Sequence, residues 1–354
     1  MSRYLSSRYE SLEPYTPGEQ PADMGKVIKL NTNESPYPPH EAVAKAAAES
    51  AAGLNIYSKP EWSELKKELG DIFGLEEEQV FLSNGSDEAL NFAFMAFADE
   101  ETPLVFPDVT YGFYTVFADL NGIPYREIPL GEDFSLNPED YMKPGMTAVI
   151  ANPNSPTGKC LPVKEIERIV RANRDNVVIV DEAYGDFCDE SAVSLIMDNE
   201  NLLVTRTFSK SGSLAGGRLG FALGSRELIG DLNRIKYSTN PYNVNSMTAA
   251  AGLATVRNAD YYRENCRKIV ETRETTDAAL KKLGFTTVES GSNFIFASCD
   301  RIEGGELYRR LRDRGILVRH FGSERLSDYL RISIGTEEQM EAFLDAVEKI
   351  LEEI

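Results

Sequence analysis

The sequence predicts an α/β fold in which a mostly parallel central sheet fills a large domain and a smaller α+β domain follows it. Three observations carry this expectation. Short apolar, β-branched runs alternate with helical patterns through the middle of the chain, which is the rhythm of βα units rather than of hairpins. Those runs are apolar along their whole length, as strands covered on both faces are. From about residue 250 the texture changes to a long helical pattern, several short strands and a closing helix. A chain of 354 residues has room for roughly two domains of ordinary size.

Taken in order, "YTPGEQPADMGKVIKLNTNESPYPP" is rich in proline and polar residues and reads as an extended arm. The βα alternation follows it. "QVFLSN" precedes the amphipathic "SDEALNFAFMAFAD", "TPLVFP" precedes "VTYGFYTVFADLNG", and "TAVIANP" precedes "VKEIERIVRANR". "NVVIVDEAY" leads through a short irregular segment to "NLLVTRTFSK", after which "GGRLGFA" returns as a strand. Further on, the helical "DYYRENCRKIVETRETTDAALKKLG" leads into strands "TTVES", "NFIFAS", "ILVRHF" and "LRISIGT". The last helix, "EEQMEAFLDAVEKILEEI", places Met340, Phe343, Leu344, Val347 and Leu351 on one face by i, i+3, i+4 spacing. The expected division is an arm at residues 1–30 that belongs with the small domain, a large domain at 31–248 and a small C-terminal domain at 249–354. Ligands of such a sheet lie off the carboxyl ends of its strands.

Composition narrows the partners. A net charge of −20 and a pI near 4.7 repel polyanions, so neither nucleic acid nor an anionic membrane is expected, and any anion site must be local. The four cysteines, Cys160, Cys188, Cys266 and Cys299, stand singly without the spacing of a zinc site or a disulfide framework. They read as free thiols, and no metal is expected. The opening segment lacks an apolar signal core and no apolar run reaches membrane-spanning length. A cytoplasmic protein is the expectation.

Chemistry enters with "TFSKSGSLAGGRLG", Thr207 to Gly220. A lysine can form a Schiff base only as the free amine, and an exposed one with a pKa of roughly 10.4 is protonated. Lys210 follows an apolar strand whose carboxyl edge would hold it in a cleft. Thr207 and Ser209 add short hydroxyls, and Arg218 comes back with the next strand. Those groups suit a phosphate, since an arginine fork binds it bidentately and small residues admit close backbone approach. An amine beside a phosphate clamp points to pyridoxal 5′-phosphate. Asp181 ends the strand one βα step earlier and can partner the pyridine nitrogen, keeping the ring protonated as an electron sink. Tyr184 offers a hydroxyl to the ring's phenolic oxygen. Gly85 and Ser86 open a helix after a strand, where backbone N–H groups and the helix dipole favour a phosphate. Tyr111 can stack on the ring. Each string alone has an ordinary reading: a loop lysine, a capping acid, a plain N-cap, a packed aromatic.

In combination these strings resemble the fold-type I pyridoxal-phosphate enzymes, the aspartate aminotransferase superfamily, over nearly the whole chain. "LNTNESP", "NIYSKPE", "GSDEAL", "TYGFY", "NPNSPTG", "VDEAYGDF", "RTFSKSGSLAGGRLGF", "PYNVN" and "YLRISIGT" are similar, in this order, to the histidinol-phosphate branch of that superfamily. The resemblance implies that Lys210 carries the cofactor as an internal aldimine, that Asp181 pairs with the pyridine nitrogen, that Tyr184 bonds the phenolic oxygen and that Tyr111 stacks on the ring. It implies a phosphate held by Gly85, Ser86 and Asp87 backbone groups, Thr207, Ser209 and Arg218, with Tyr57 reaching in from the second subunit of a homodimer. The family's asparagine before Pro-Thr-Gly is replaced by Ser155 here; either the preceding Asn154 or Ser155 contacts the ring oxygen, and Asn154 is the candidate carried forward.

Arg331 matches the arginine that holds the substrate carboxylate in the superfamily. Arg319, twelve residues earlier, matches one that helps bind the substrate's phosphate in this branch, and Tyr15 and Asn33 match arm residues near the substrate. The implied activity is transamination of L-histidinol phosphate with 2-oxoglutarate, so the partners are a small-molecule amine and a 2-oxo acid. Transamination of aromatic amino acids and threonine-phosphate decarboxylation share the fold and stay open as alternatives. A non-catalytic regulator of this family would need an added DNA-binding domain, for which the acidic chain has no room.

Overall fold

The computed structural model describes residues 2–143 and 145–354. Its centre is a seven-stranded sheet, and the strand order is Val80–Ser83, Gly220–Leu223, Leu202–Thr207, Val178–Asp181, Thr147–Ala151, Leu104–Pro107 and Tyr125–Ile128. Only Gly220–Leu223 runs against the others. The continuous apolar runs are buried on both faces because helices cover both. Val178 and Val180 pack with Ile166 and Ile169 of the helix Val163–Ala172. Ile179 between them points the other way, toward Leu90 and Phe94 of the helix Ser86–Phe97, as the period of a strand requires.

A second, four-stranded antiparallel sheet holds Arg319–His320, Tyr329–Ser333, Phe294–Ser298 and Thr286–Val288. Phe294 and Ile332 of this sheet bury against Met340, Phe343 and Val347 of the helix Glu337–Glu352. That helix starts with a reciprocal capping box between Thr336 and Gln339. The polar arm ends in Ile28–Lys29, which pairs in parallel with Ile316–Leu317. From there it passes directly into "NTNES", whose residues Asn31 and Asn33 are buried against the rest of the molecule.

Two elements differ from the sequence reading. "ILVRHF" forms two short strands rather than one, because Ile316–Leu317 turns to the arm while Arg319–His320 joins the four-stranded sheet. The strand Tyr125–Ile128 was not anticipated. As an edge strand it is covered on one side only, and its polar Arg126 and Glu127 hide the usual apolar signature. No helix among the described residues is long and apolar enough to cross a membrane.

Candidate active site

The parallel register sets Asp181 beside Thr205 on the neighbouring strand, so both reach the carboxyl edge of the sheet together. Asp181 is buried and accepts hydrogen bonds from the Tyr114 hydroxyl at 2.9 Å and from Thr205 Oγ1 at 3.1 Å. Burial pushes its carboxyl up to about 6 in spite of those donors, with Asp87 adding to the rise. Three residues on, the Tyr184 hydroxyl accepts from Asn33 Nδ2 at 2.8 Å. Burial alone would raise this phenol. The nearby Lys210 and Arg331 cations, with hydrogen bonds from Asn33 and Ser155, outweigh it and hold the group below its ordinary value. Lys210 Nζ donates to the Thr32 carbonyl at 3.0 Å and lies 5.7 Å from the Tyr184 ring centre.

Asn33 sits in the left-handed region at φ +58°. Its strain is offset by a closed set of partners, because its N–H and Oδ1 both engage Ser333 Oγ, at 2.9 and 2.7 Å, and its carbonyl accepts from Asn293 Nδ2 at 2.9 Å. The arm is thereby fixed against Tyr184.

On the other side of Lys210 the helix Ser86–Phe97 begins at Gly85, whose φ of +78° suits glycine. Gly220 lies so close beneath this turn that a Cβ there would fall 2.3 Å from the Ser86 nitrogen. The Arg218 guanidinium reaches the same place and donates to Asp87 Oδ2 at 2.9 Å, while Tyr111 donates to Asp87 Oδ1 at 2.8 Å. Thr207 Oγ1 and Ser209 Oγ complete the group, 3.0 Å apart. Ser86, Thr207, Ser209, Arg218, Asp181 and Lys210 line one chamber of about 100 Å³. A positive helix end, a guanidinium and two hydroxyls beside an amine fit a phosphate monoester that also carries a carbonyl group.

The chamber opens into a cavity of about 650 Å³, which shares Tyr111, Ser155, Tyr184 and Lys210 with it and adds Tyr15, Arg319 and Arg331. Arg319 and Arg331 are directly opposite each other across antiparallel strands. Like charges so placed repel. Their acceptors are all uncharged: the Thr16 carbonyl at 3.2 Å for Arg319, and Ser155 Oγ and the Asn31 carbonyl, each at 3.1 Å, for Arg331. Arg331 Nε is buried without a partner. Burial pulls the Arg331 guanidinium below its ordinary value, and Arg319 contributes to the fall.

Most of the residues singled out in the sequence thus converge, but two do not. The Asn154 amide is turned away from the chamber and spent on the Val109 carbonyl and Thr157 Oγ1, each at 2.9 Å, with Oδ1 accepting from Thr110 at 2.8 Å. Ser155 lines the chamber with Tyr184 and Lys210, and Asn154 does not. Tyr57 is 81% exposed and stacks on Tyr242 with ring centres 4.7 Å apart. It is no part of the cavity of its own chain. His320 turns its Nε2 to the Ser327 carbonyl at 2.8 Å and stacks on Tyr308.

The sequence reading missed Tyr114 and Thr205. A signal for Thr205 was present: Thr205 and Thr207 stand two apart in "LLVTRTF" and therefore face the same way. Tyr114 carried no such signal, since an aromatic three residues after Tyr111 reads as packing.

A lysine, a carboxylate and an anion-suited chamber at the carboxyl edge of a mostly parallel sheet fit the class to which the chain belongs, fold-type I enzymes whose cofactor is pyridoxal 5′-phosphate. The chain belongs to the aminotransferase class I and II family, whose pattern it matches over residues 25–347. It is 46% identical over 353 residues to a histidinol-phosphate aminotransferase of Brachyspira hyodysenteriae, covering 99% of both chains. To one of Clostridium botulinum it is 45% identical over the full length of both. Its fold is similar to that of histidinol-phosphate aminotransferase from Sinorhizobium meliloti in complex with pyridoxal 5′-phosphate, with a TM-score of 0.83 at 23% identity over 92% of this chain and 91% of that one.

Proposed function

We propose that the chain transaminates L-histidinol phosphate with 2-oxoglutarate, acting in histidine biosynthesis in the cytoplasm. The observation that carries the substrate is the facing pair Arg319 and Arg331, two guanidiniums without a carboxylate partner among the described residues, in a chain of net charge −20. A phosphate dianion neutralises both. Arginine forks accept phosphate and carboxylate alike, so the same pair can serve the phosphate of the amine and the second carboxylate of the 2-oxo acid. The full-length relatives that carry the name of this activity support the reading.

Bound pyridoxal 5′-phosphate supplies an aldehyde that takes the substrate's amine and a ring that withdraws electrons from the adjacent carbon. The Ser86 and Asp87 N–H groups, Thr207, Ser209 and Arg218 would hold its phosphate. Arg218, paired with the Asp87 carboxylate in the structure, would turn to that phosphate. Asp181 would partner the pyridine nitrogen, and Tyr114 and Thr205 keep Asp181 in position. Tyr184 and Ser155 would serve the phenolic oxygen, and Tyr111 would cover the ring. Lys210 would hold the aldehyde, and its Nζ, once free, would be the base placed to move the proton of the amine-bearing carbon. Asn33 and Tyr15 close the substrate side.

In this reading residues 31–248 form the cofactor domain, 249–354 the small domain, and the 1–30 arm goes with the latter. The active assembly is a homodimer. Leu54, Ile56, Tyr57, Tyr237 and Tyr242 are all large and exposed, and an isologous contact through that face would carry Tyr57 to the partner's phosphate site.

Histidinol phosphate added to holoenzyme without acceptor should bleach the absorbance of the lysine-bound cofactor, and 2-oxoglutarate should restore it. Histidinol without its phosphate should react on the order of 100-fold less efficiently. Bleaching by phenylalanine but not by histidinol phosphate, or release of carbon dioxide from threonine phosphate, would overturn the assignment.

A further inference from the structure

Outside the reaction chamber two thiols from separate segments meet. Cys160 follows the "NSPTGK" loop that places Ser155, and Cys188 follows the "DEAYGDF" segment that places Tyr184. Their sulfurs are 3.0 Å apart, unbonded, and Cys188 Sγ also lies 3.2 Å from the Gly291 carbonyl. Gly291 makes the room. A Cβ there would stand 2.2 Å from Cys160 Sγ and 2.8 Å from Cys188 Sγ. Each thiol opens on its own cavity, Cys160 on one of about 480 Å³ and Cys188 on one of about 790 Å³. Cys266 and Cys299 are buried, Cys266 in the wall of the same cavity as Cys188, and neither is within bonding distance of the pair. Among the described residues no third histidine, cysteine or carboxylate completes a metal set around the pair.

We propose that Cys160 and Cys188 form a reversible dithiol–disulfide site that reacts with low-molecular-weight disulfides. Cys160 is the attacking sulfur. The Cys188 thiol that hydrogen-bonds to it holds its pKa below the ordinary value against the opposing effect of burial, helped by the Arg273 guanidinium, while Cys188 is held in its protonated form by the same contact. The Cys160 thiolate attacks a sulfur of the small disulfide, forming a mixed disulfide and expelling one thiolate. Cys188, losing its proton to that thiolate, attacks the Cys160 sulfur of the mixed disulfide and expels the second. Two protein thiols are oxidised and one small disulfide is reduced to two thiols. The new bond ties the Ser155 loop to the Tyr184 segment.

Holoenzyme is incubated with oxidised glutathione, alkylated, and digested without reductant. Free thiols should fall from four to two, and the peptides of Cys160 and Cys188 should be recovered joined to each other and be separated by dithiothreitol. In Cys160→Ser the joined pair should vanish and Cys188 should remain alkylatable. Recovery of both wild-type cysteines alkylated, or of each as a separate glutathione adduct, overturns the proposal. Folding of the variant does not enter this test, since the decisive measurement is made on the wild-type chain.

Discussion

Tyr114 and Asp181 share a fully buried 2.9 Å hydrogen bond beneath the cofactor chamber. The carboxyl it serves is raised from 3.8 to about 6 by burial. Below about pH 4 the folded and unfolded chains both hold this proton and the group has no effect on stability. Between about 4 and 6 the unfolded chain ionises while the folded one resists, so stability falls, and above 6 the full penalty of roughly 3 kcal/mol applies. Asp181→Asn should remove that fall. Apoprotein melting temperatures of the two chains, compared at about pH 4.5 and 7, should show the variant gaining on wild type as pH rises; parallel curves would show that Asp181 ionises normally. Tyr114→Phe should act the other way, leaving the carboxylate one donor short at a cost of about 1–3 kcal/mol.

The Arg319–Arg331 pair makes a prediction for the apoprotein as well as for turnover. Inorganic phosphate should raise the melting temperature of wild type by relieving the repulsion, and should do so far less for Arg319→Gln. The same substitution should lower kcat/KM for histidinol phosphate roughly 10–100-fold while leaving phenylalanine turnover nearly unchanged. Arg331→Lys should not rescue, because a point charge cannot reach Ser155 Oγ and the Asn31 carbonyl together. Equal losses for both substrates would make Arg319 a structural residue.

Much of this site is legible in the sequence because strand ends are. Asp181, Thr207 and Lys210 each terminate or follow an apolar run, and the alternation of strands and helices places all three at one edge before any coordinates are known. Arg319 and Arg331 could be named one by one, but only the register of two short strands shows that they face each other. Asn154 shows what a motif string hides: its amide holds the Val109 carbonyl and Thr157 Oγ1 inside the loop "NPNSPTG", a demand that only the folded chain reveals. Tyr57 cannot be placed from a single chain at all, since its expected contact would be with a second copy of the chain.

Close approach at Gly220 ties the antiparallel strand to the phosphate cradle. In Gly220→Ala the new methyl would meet the Ser86 nitrogen at 2.3 Å and the Gly85 carbonyl carbon at 2.4 Å, backbone atoms that cannot step aside. A loss of about 1–3 kcal/mol is expected, with weaker cofactor binding, since the first turn of the helix must shift. Gly230 is the control. It lies in the helix Arg226–Thr239 with open space around it, so Gly230→Ala should stabilise by about 0.5–1 kcal/mol. Chemical denaturation and equilibrium dialysis with pyridoxal 5′-phosphate measure the two effects separately.

In the proposed function Lys210 does two things, binding the cofactor covalently and moving a proton, and two substitutions separate these from simple charge placement. Lys210→Arg keeps a cation able to donate to the Thr32 carbonyl, as Lys210 does at 3.0 Å, but has no amine that can condense with an aldehyde. Lys210→Ala removes both. Each variant should still take up pyridoxal 5′-phosphate through Arg218, Ser209 and the helix N-terminus, each should resist labelling by borohydride, and each should lose at least ~10²–10⁴-fold in turnover. The arginine variant should melt closer to wild type than the alanine variant, because the hydrogen bond that anchors the arm beside Tyr184 survives in it. Turnover preserved in Lys210→Arg would leave the lysine only a positional role, and the chemistry assigned to this chamber would have to be carried by another group.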